Sequence, residues 1–470
     1  MELLSCDHKT NVSRLDSILR PDRSFDIIKR EMSLGGAEQV FYYVDGFIKA
    51  EQMQKMMTHF LSVKDFGSGA PGDALRFSKT CVPAVEVDVT RDIDTLSFFV
   101  LSGCAAMLCS GFGGEALIID MRTYPARESS EPENDKVMRG SRDGFVETML
   151  FNTAMLRRRI RSTDLVVEYL TVGESSKTDM ALCYFDGRAD GELLEKLRGK
   201  LKSVKTDAIT LGHESVAEVL FPRGWLDPFP KIRITERPDT AAASVLEGSI
   251  VLICDNSPEA MIFPTSLFDF LQEADDYYFP PLTGTYLRVI RHIVFWLSVV
   301  ATPLWYLALK YPAYLPASLD FLIPKEPGEI PILCQLLVTE FALDGLKLAS
   351  LNTPDALSSS LSVVGGLLLG DFAVKVGWVC PDVILYMSFV AITNFTQSSY
   401  ELGYAFKYLR ILTLILTGIF GIAGFCAGIL IGIILAAVNP TFGGRGYLYP
   451  LIPFNGRALT RLLFRPKKFN

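Results

Sequence analysis

The sequence predicts an α/β cytoplasmic head of two similar subdomains, followed by an all-α, multi-pass membrane domain. Three observations predict it. Apolar runs long enough for a bilayer are confined to the last two-fifths of the 470 residues. Charge divides at the same place. Residues 288–470 hold 14 Lys and Arg against 9 Asp and Glu, a net of +5; the whole-chain totals of 46 and 53 leave 32 and 44, a net of −12, for residues 1–287. In that acidic part a helix–turn–hairpin pattern occurs twice. Basic character suits lipid headgroups and acidic character suits water.

The head is expected to divide into residues 1–161, an N-terminal subdomain with a connecting helix, and residues 162–287. Phe47, Ile48, Met53, Met56, Met57, Phe60 and Leu61 follow helix-like spacing and predict a buried helical face. Asp94–Leu101 reads as helix, Ser102-Gly103 as its stop, Cys104–Cys109 as strand, Ser110–Gly114 as turn and Glu115–Asp120 as strand. The pattern returns as helix Thr240–Leu246, stop Glu247-Gly248, strand Ser249–Cys254, turn Asp255–Pro258 and strand Glu259–Phe263. Between them lie a helix at Arg142–Arg161, strands near Val166–Thr171 and Met180–Phe185, and a helix at Gly191–Val204.

Nothing in the head predicts catalysis. His8, His59, His213 and His292 stand in unrelated contexts without metal-ligand spacing, so no metal, cofactor or enzymatic activity is expected. Gly111-Phe112-Gly113-Gly114 joins two strands rather than a strand to a helix N-terminus, which is turn chemistry and not a phosphate loop. Arg157, Arg158 and Arg159 are candidates for an oligomer interface; on an acidic domain they also suit an ion-paired helix face, and no nucleic-acid partner is expected. Nine scattered cysteines with no CxxC pair fit a reducing compartment. Met1-Glu2-Leu3-Leu4-Ser5 has no basic start or apolar core of useful length, so no signal peptide is expected and the head stays cytoplasmic.

The membrane domain, residues 288–440, opens with a span at 289–309 behind Arg288, Arg291 and His292, a basic flank that puts the head on the cytoplasmic side. A Pro-rich loop leads to 332–351, where Glu340, Asp344 and Lys347 fall on one face and predict an interfacial helix, or a vestibule whose carboxylates Glu340 and Asp344 attract cations. In the span 357–376, Ser359, Ser362, Gly366 and Gly370 fall in a stripe roughly 80° wide at about 100° per residue. Such a stripe serves either close helix packing or the lining of a narrow water-filled path. Asp371 either pairs with Lys375, lies at the interface or faces water. Spans at 383–397 and 409–438 follow, then a basic cytoplasmic tail at 441–470. Four crossings return the chain to its starting side and leave Lys407 and Arg410 outside.

Several strings carry a resemblance. Arg139-Gly140-Ser141-Arg142-Asp143-Gly144-Phe145-Val146-Glu147, Asn152 and Arg157-Arg158-Arg159-Ile160 resemble a stretch of the GerA family of spore-germination receptor A subunits. Thr235-Glu236-Arg237-Pro238-Asp239, Pro264-Thr265 and the glycine-rich Val363–Gly370 do so as well, with Ser141 where many members carry proline. Thr283–Arg288 and Tyr449–Asn455 are similar to a sporulation-stage branch of that family more than to its nutrient receptors. The resemblance implies a multi-pass protein of the endospore inner membrane that promotes germination. It further implies a homo-oligomer acting with other germination membrane proteins and passing monovalent cations. On that expectation Ser359, Ser362, Gly366, Gly370 and Asp371 line the path. A nutrient receptor and a non-conducting scaffold are the alternatives.

Overall fold

A computed structural model describes residues 2–123, 137–204, 213–221, 227–351, 373–397, 399–443 and 446–464. Chain contacts form two units. One comprises Met1–Pro222, Ile232–Thr265 and Phe442–Gly444; the other comprises Arg223–Lys231, Ser266–Thr441 and Arg445–Asn470.

The first unit is a repeat. Its first half runs α1 (His8–Leu19), β1 (Ile27–Leu34), β2 (Ala37–Val44), α2 (Ala50–Phe60), α3 (Asp73–Cys81), β3 (Glu86–Thr90), α4 (Ile93–Leu101), β4 (Ala105–Cys109) and β5 (Ala116–Asp120). Its second half runs α5 (Met149–Arg159), β6 (Leu165–Val172), β7 (Thr178–Phe185), α6 (Gly191–Lys202), α7 (His213–Leu220), β8 (Arg233–Thr235), α8 (Pro238–Leu246), β9 (Ile250–Cys254) and β10 (Ala260–Phe263). The sheets have orders β1-β2-β4-β5-β3 and β6-β7-β9-β10-β8, antiparallel throughout. Order of elements and order of strands therefore coincide in the two halves. The two predicted helix–hairpin units are the matching ends of these halves, and the Gly111–Gly114 turn joins β4 to β5.

Helices cover both faces of each sheet, and this explains why the central strands β4 and β9 are buried at every position. Leu96 and Val100 of α4 pack on one face of the first sheet with Leu15 of α1; Met56, Phe60 and Phe77 of α2 and α3 pack on the other. In the second sheet Leu197, Leu201 and Leu220 of α6 and α7 take one face and Leu156 and Val245 of α5 and α8 the other. Phe442, which follows the last apolar helix in the chain, also lies in this core and meets Phe221 and Phe263 edge-on at 5.2 and 5.8 Å. Both α4 and α8 stop the same way. Ser102 and Glu247 keep near-helical backbone, and Gly103 and Gly248 then turn left-handed at φ +100° and +98°.

The first half was only partly legible. β1 and β3 stand beyond the expected elements because their half-exposed residues blur the apolar alternation, Lys29, Arg30 and Glu31 in β1 alone; β2, also unexpected, is by contrast buried at six of its eight positions. The helix expected over Arg142–Arg161 begins at Met149, and the preceding segment is pinned by buried Asn152, whose amide oxygen accepts from Val146 N at 2.8 Å.

α5 joins the halves. Ala154 packs with the first sheet's cluster while Met155 and Leu156 pack with the second's. Arg157 has no exposed surface. Its Nε donates to Asp26 Oδ2 at 2.7 Å, its Nη2 to Asp26 Oδ1, Ser24 Oγ and Leu165 O at 3.0–3.1 Å, and its Nη1 to Ser162 O at 3.0 Å. Every nitrogen of the guanidinium thereby has an acceptor, as burying the charge requires. Arg159 binds Asp143 at 2.6 Å, and Arg158 is exposed.

In the second unit α9 (Asp275–Tyr278) leads into α10 (Pro281–Lys310) and α11 (Ile332–Leu351). After a helical turn at Ala373–Lys375 come α12 (Pro381–Phe395), α13 (Tyr400–Phe420), α14 (Ile422–Val438) and α15 (Gly456–Leu463). Among the described residues α10 and α13 are long and apolar enough to cross a bilayer, and α14 is a shorter apolar helix. Where the pattern predicts one long helix over 409–438, the chain instead reverses at Gly421, whose φ of +63° is left-handed. α13 and α14 form an antiparallel hairpin. The reason is the glycine row Gly424, Gly428 and Gly432: a β-carbon on Gly424 would fall 1.9 Å from Leu416 O, and one on Gly428 2.6 Å from Thr413 Oγ1. Periodic glycines gave no sign of where the helix breaks, since packing and bending use the same residue.

Arg157→Ala is expected to destabilise the chain by about 3–5 kcal/mol by orphaning buried Asp26, with Arg157→Lys intermediate for want of the fork; thermal unfolding followed by circular dichroism measures both. Gly424→Ala should lower the melting temperature through backbone overlap. Gly199→Ala, in α6 with nothing within 4 Å of the added carbon, should raise stability by roughly 0.5–1 kcal/mol.

Candidate functional site

α11 and α13 run antiparallel, and three turns of each are held together by charge. Glu340 and Asp344 lie one turn apart on α11, and Lys407 and Arg410 one turn apart on α13. Arg410 Nη2 donates to Glu340 Oε1 at 2.5 Å and Nε to Oε2 at 3.3 Å, a forked contact. Lys407 Nζ lies 3.6 Å from Glu340 Oε1 and donates to Asp344. One turn further, Lys347 Nζ sits 4.5 and 4.9 Å from the Tyr400 and Tyr404 ring centres, a cation–π arrangement. The charges alternate along the contact as Arg410, Glu340, Lys407, Asp344.

Burial makes this arrangement demanding. Arg410 is 0% exposed, Glu340 3% and Lys407 5%. Arg410 extends to a third helix, since its Nη1 donates to Ser298 O of α10 at 2.9 Å. Pro303, inside α10, has no N–H to give the Val299 carbonyl, one residue beyond the Ser298 carbonyl that Arg410 meets. Phe295 of α10 packs edge-on against Phe406 of α13 at 4.2 Å in the same layer.

A polar seam continues from the cluster. Ser298 and Thr302 of α10 and Thr413 and Thr417 of α13 are buried. Thr413 and Thr417 return their hydroxyls to Leu409 O and Thr413 O at 2.7 and 2.6 Å, whereas Thr302 Oγ1 has no hydrogen-bond partner among the described residues. Gln335 fixes the start of α11: its amide donates to Pro327 O and Ile330 O at 2.7 Å and accepts from Cys380 N at 2.8 Å. Lys310, the last residue of α10, donates to Gly418 O at 2.6 Å near the end of α13, where cations are favoured.

The outward faces differ in kind. Ile422, Leu430, Ile433, Ile434 and Val438 of α14 are exposed, as are Ile293, Trp296, Leu297 and Leu304 of α10. Aliphatic surface outside and ionised groups inside is the inverse of a water-soluble bundle.

Placement of the predicted residues is mixed. Glu340 and Asp344 are at the centre of the cluster. Ser359, Ser362, Gly366, Gly370 and Asp371 lie outside the described residues. The charged stripe predicted on 332–351 is real, and its partner is α13. Lys407 and Arg410, expected on the outer side, are buried against α11, which supplies two carboxylates in matching register. Equal numbers of opposite charges at one-turn spacing on two apolar segments were the available signal.

The family model "Bacillus/Clostridium GerA spore germination protein" matches residues 13–469. The stage V sporulation protein AF of Bacillus subtilis is 37% identical over 445 residues, covering 95% of this chain and 90% of that protein. Spore germination protein KA of the same organism is 28% identical, covering 94% and 81%. A crystal structure of the N-terminal domain of the A subunit of the Bacillus megaterium spore germinant receptor GerK3 aligns over 56% of this chain and 96% of that one, at 23% identity and a TM-score of 0.42.

Removing one member of the cluster should cost more than removing a pair. Arg410→Leu is expected to destabilise the detergent-solubilised chain by about 3–5 kcal/mol, and the double variant Arg410→Leu, Glu340→Leu by much less. A thermal-shift series on the two single variants and the double variant reads the difference directly.

Proposed function

The chain belongs to the GerA spore germination protein family, and from that premise we propose that it is a multi-pass germination membrane protein whose oligomer conducts cations. The observation that carries this reading is the Arg410–Glu340–Lys407–Asp344 cluster, set between helices whose outward faces are aliphatic. Ionised groups at bilayer depth are costly and occur where ions or protons move. A helix bundle needed only for anchoring reaches the same stability with leucine.

Orientation supports the topology. α10 and α13 run in one direction, and α11 and α14 run against α13. With α11 paired to α13 along its length, it counts as a crossing. Adding the span predicted at 357–376, α12 and the hairpin makes six, an even number that keeps head and tail on one side. The basic residues at the start of α10 support the cytoplasm of the spore as that side.

The conducting path is assigned to the 357–376 span, where Ser359, Ser362, Gly366 and Gly370 form a narrow row of small side chains and Asp371 stands at its end. Rings of such helices require a head-to-tail contact that closes, and of the arginine run Arg158 is the member exposed on the surface of the head. Glu340 and Asp344, though paired here, would supply the negative field at the mouth of the path when a partner releases them.

Reconstitution tests the proposal. Full-length protein in liposomes is expected to pass potassium, with Ser362→Trp and Gly366→Trp each reducing flux at least about ten-fold, as expected for occlusion of a narrow pore. Unchanged flux in both variants removes this helix from the path, and no flux from correctly folded wild type leaves a scaffold.

A further inference from the structure

The segment after the last apolar helix presents an unusual surface. Leu451, Ile452 and Phe454 are exposed, Phe454 by 75%. They are held in place. Leu448 O accepts from Leu451 N and Ile452 N at 2.8 and 3.1 Å, Pro450 O accepts from Asn455 N at 2.9 Å, and the Asn455 side chain caps α15 through Ala458 N at 3.1 Å. The helix has two sides. Leu462 is buried in the core shared with α10 and α13, while Arg457, Arg461 and Phe464 face outward. Arg457 and Arg461 stand one turn apart, and neither has an ion-pair partner among the described residues. In the sequence Arg465, Lys467 and Lys468 follow at once.

Its level along the bundle is set by a hydrogen bond. Arg288 Nη1 donates to Arg461 O at 3.2 Å and Leu462 O at 3.4 Å. Arg288 is where the apolar stretch of α10 begins, and its charge is anchored outside that stretch by Asp276 of α9 at 3.0 Å. α15 therefore lies at the height where the hydrocarbon of a bilayer around α10 would end. Tyr286 and Leu282 of α10, at the same end, are 63% and 84% exposed.

We propose that residues 451–464 dock on the headgroup layer of an anionic lipid bilayer, with Phe454 and Phe464 reaching into the acyl boundary and Arg457 and Arg461 meeting lipid phosphates. The proposal rests on the membrane reading above. Its chemistry is that of an interfacial amphipathic element: apolar groups enter the boundary, and arginines extend along it to keep their charge at phosphate depth. A basic segment next to a spanning helix gains from each negative headgroup it reaches, and loses that gain as salt screens it. A protein partner would need to reach a surface that already sits at the bilayer edge, and the positive charge of both arginines opposes pairing with a second copy of itself.

Hydrogen exchange of the full-length protein tests this, in nanodiscs of phosphatidylglycerol and of phosphatidylcholine. Peptides covering 451–464 are expected to exchange roughly ten-fold more slowly in phosphatidylglycerol, from two arginines near an anionic surface. Raising salt or introducing Arg457→Glu with Arg461→Glu should abolish the difference while α10 and α13 peptides stay protected. Equal exchange of wild type in both lipids overturns the proposal, as does equal slowing in detergent, which would mark contact between copies. Extraction of the protein from vesicles by alkaline carbonate would instead refute the membrane reading itself.

Discussion

The guanidinium of Arg410 is the constraint on which the helical unit depends. A charge without water must find all its partners within hydrogen-bond reach, because the desolvation loss of several kcal/mol per ion is recovered only by good geometry. Glu340 supplies both oxygens and Ser298 supplies a carbonyl, so three helices are fixed in axial register by one side chain. Lys407 and Asp344 then fall into place one turn away. A slip of α11 by one turn would leave an uncompensated charge, which apolar packing alone would not resist so steeply. The glycine row does for α13 and α14 by contact what the ions do for α11 and α13 by charge.

The head obeys the same rule at its own joint. Arg157 is buried among Asp26, Ser24, Ser162 and Leu165, which come from before β1 and from the approach to β6 and its first residue. Phe25 N also donates to Val167 O at 3.0 Å, so the segment before β1 lies along β6. Two halves with the same order of elements are thus not beads on a string; one arginine reads both. The run Arg157-Arg158-Arg159 looks uniform in sequence, yet its members face the interior, the solvent and Asp143 respectively, as a 100° step between neighbours requires.

What was legible in the sequence follows from the range of the forces. The helix–glycine–hairpin ends of both halves were readable because Gly103 and Gly248 act locally and β4 and β9 are continuous apolar runs. β1, with three consecutive charged residues on an edge strand, carries no such local signature and is held by pairing with β2. The charges on α11 and α13 were visible singly, but the match between them depends on an antiparallel arrangement of segments some 70 positions apart, which no local pattern encodes. The break at Gly421 was hidden for the opposite reason, since five glycines offered five places for it.

The brevity of α12 and α14 has a consequence if, as proposed, they cross a bilayer. At 15 and 17 residues and 1.5 Å per residue they span about 22 and 26 Å, less than the hydrocarbon thickness of about 30 Å. On the proposed multi-pass reading, acyl chains bordering them would shorten or tilt, at an elastic cost that grows with the perimeter of the deformed annulus. Copies that brought these flanks together would share one annulus in place of several. The membrane itself would then exert a line tension that gathers copies of the protein into patches, with no protein–protein bond needed to start the process.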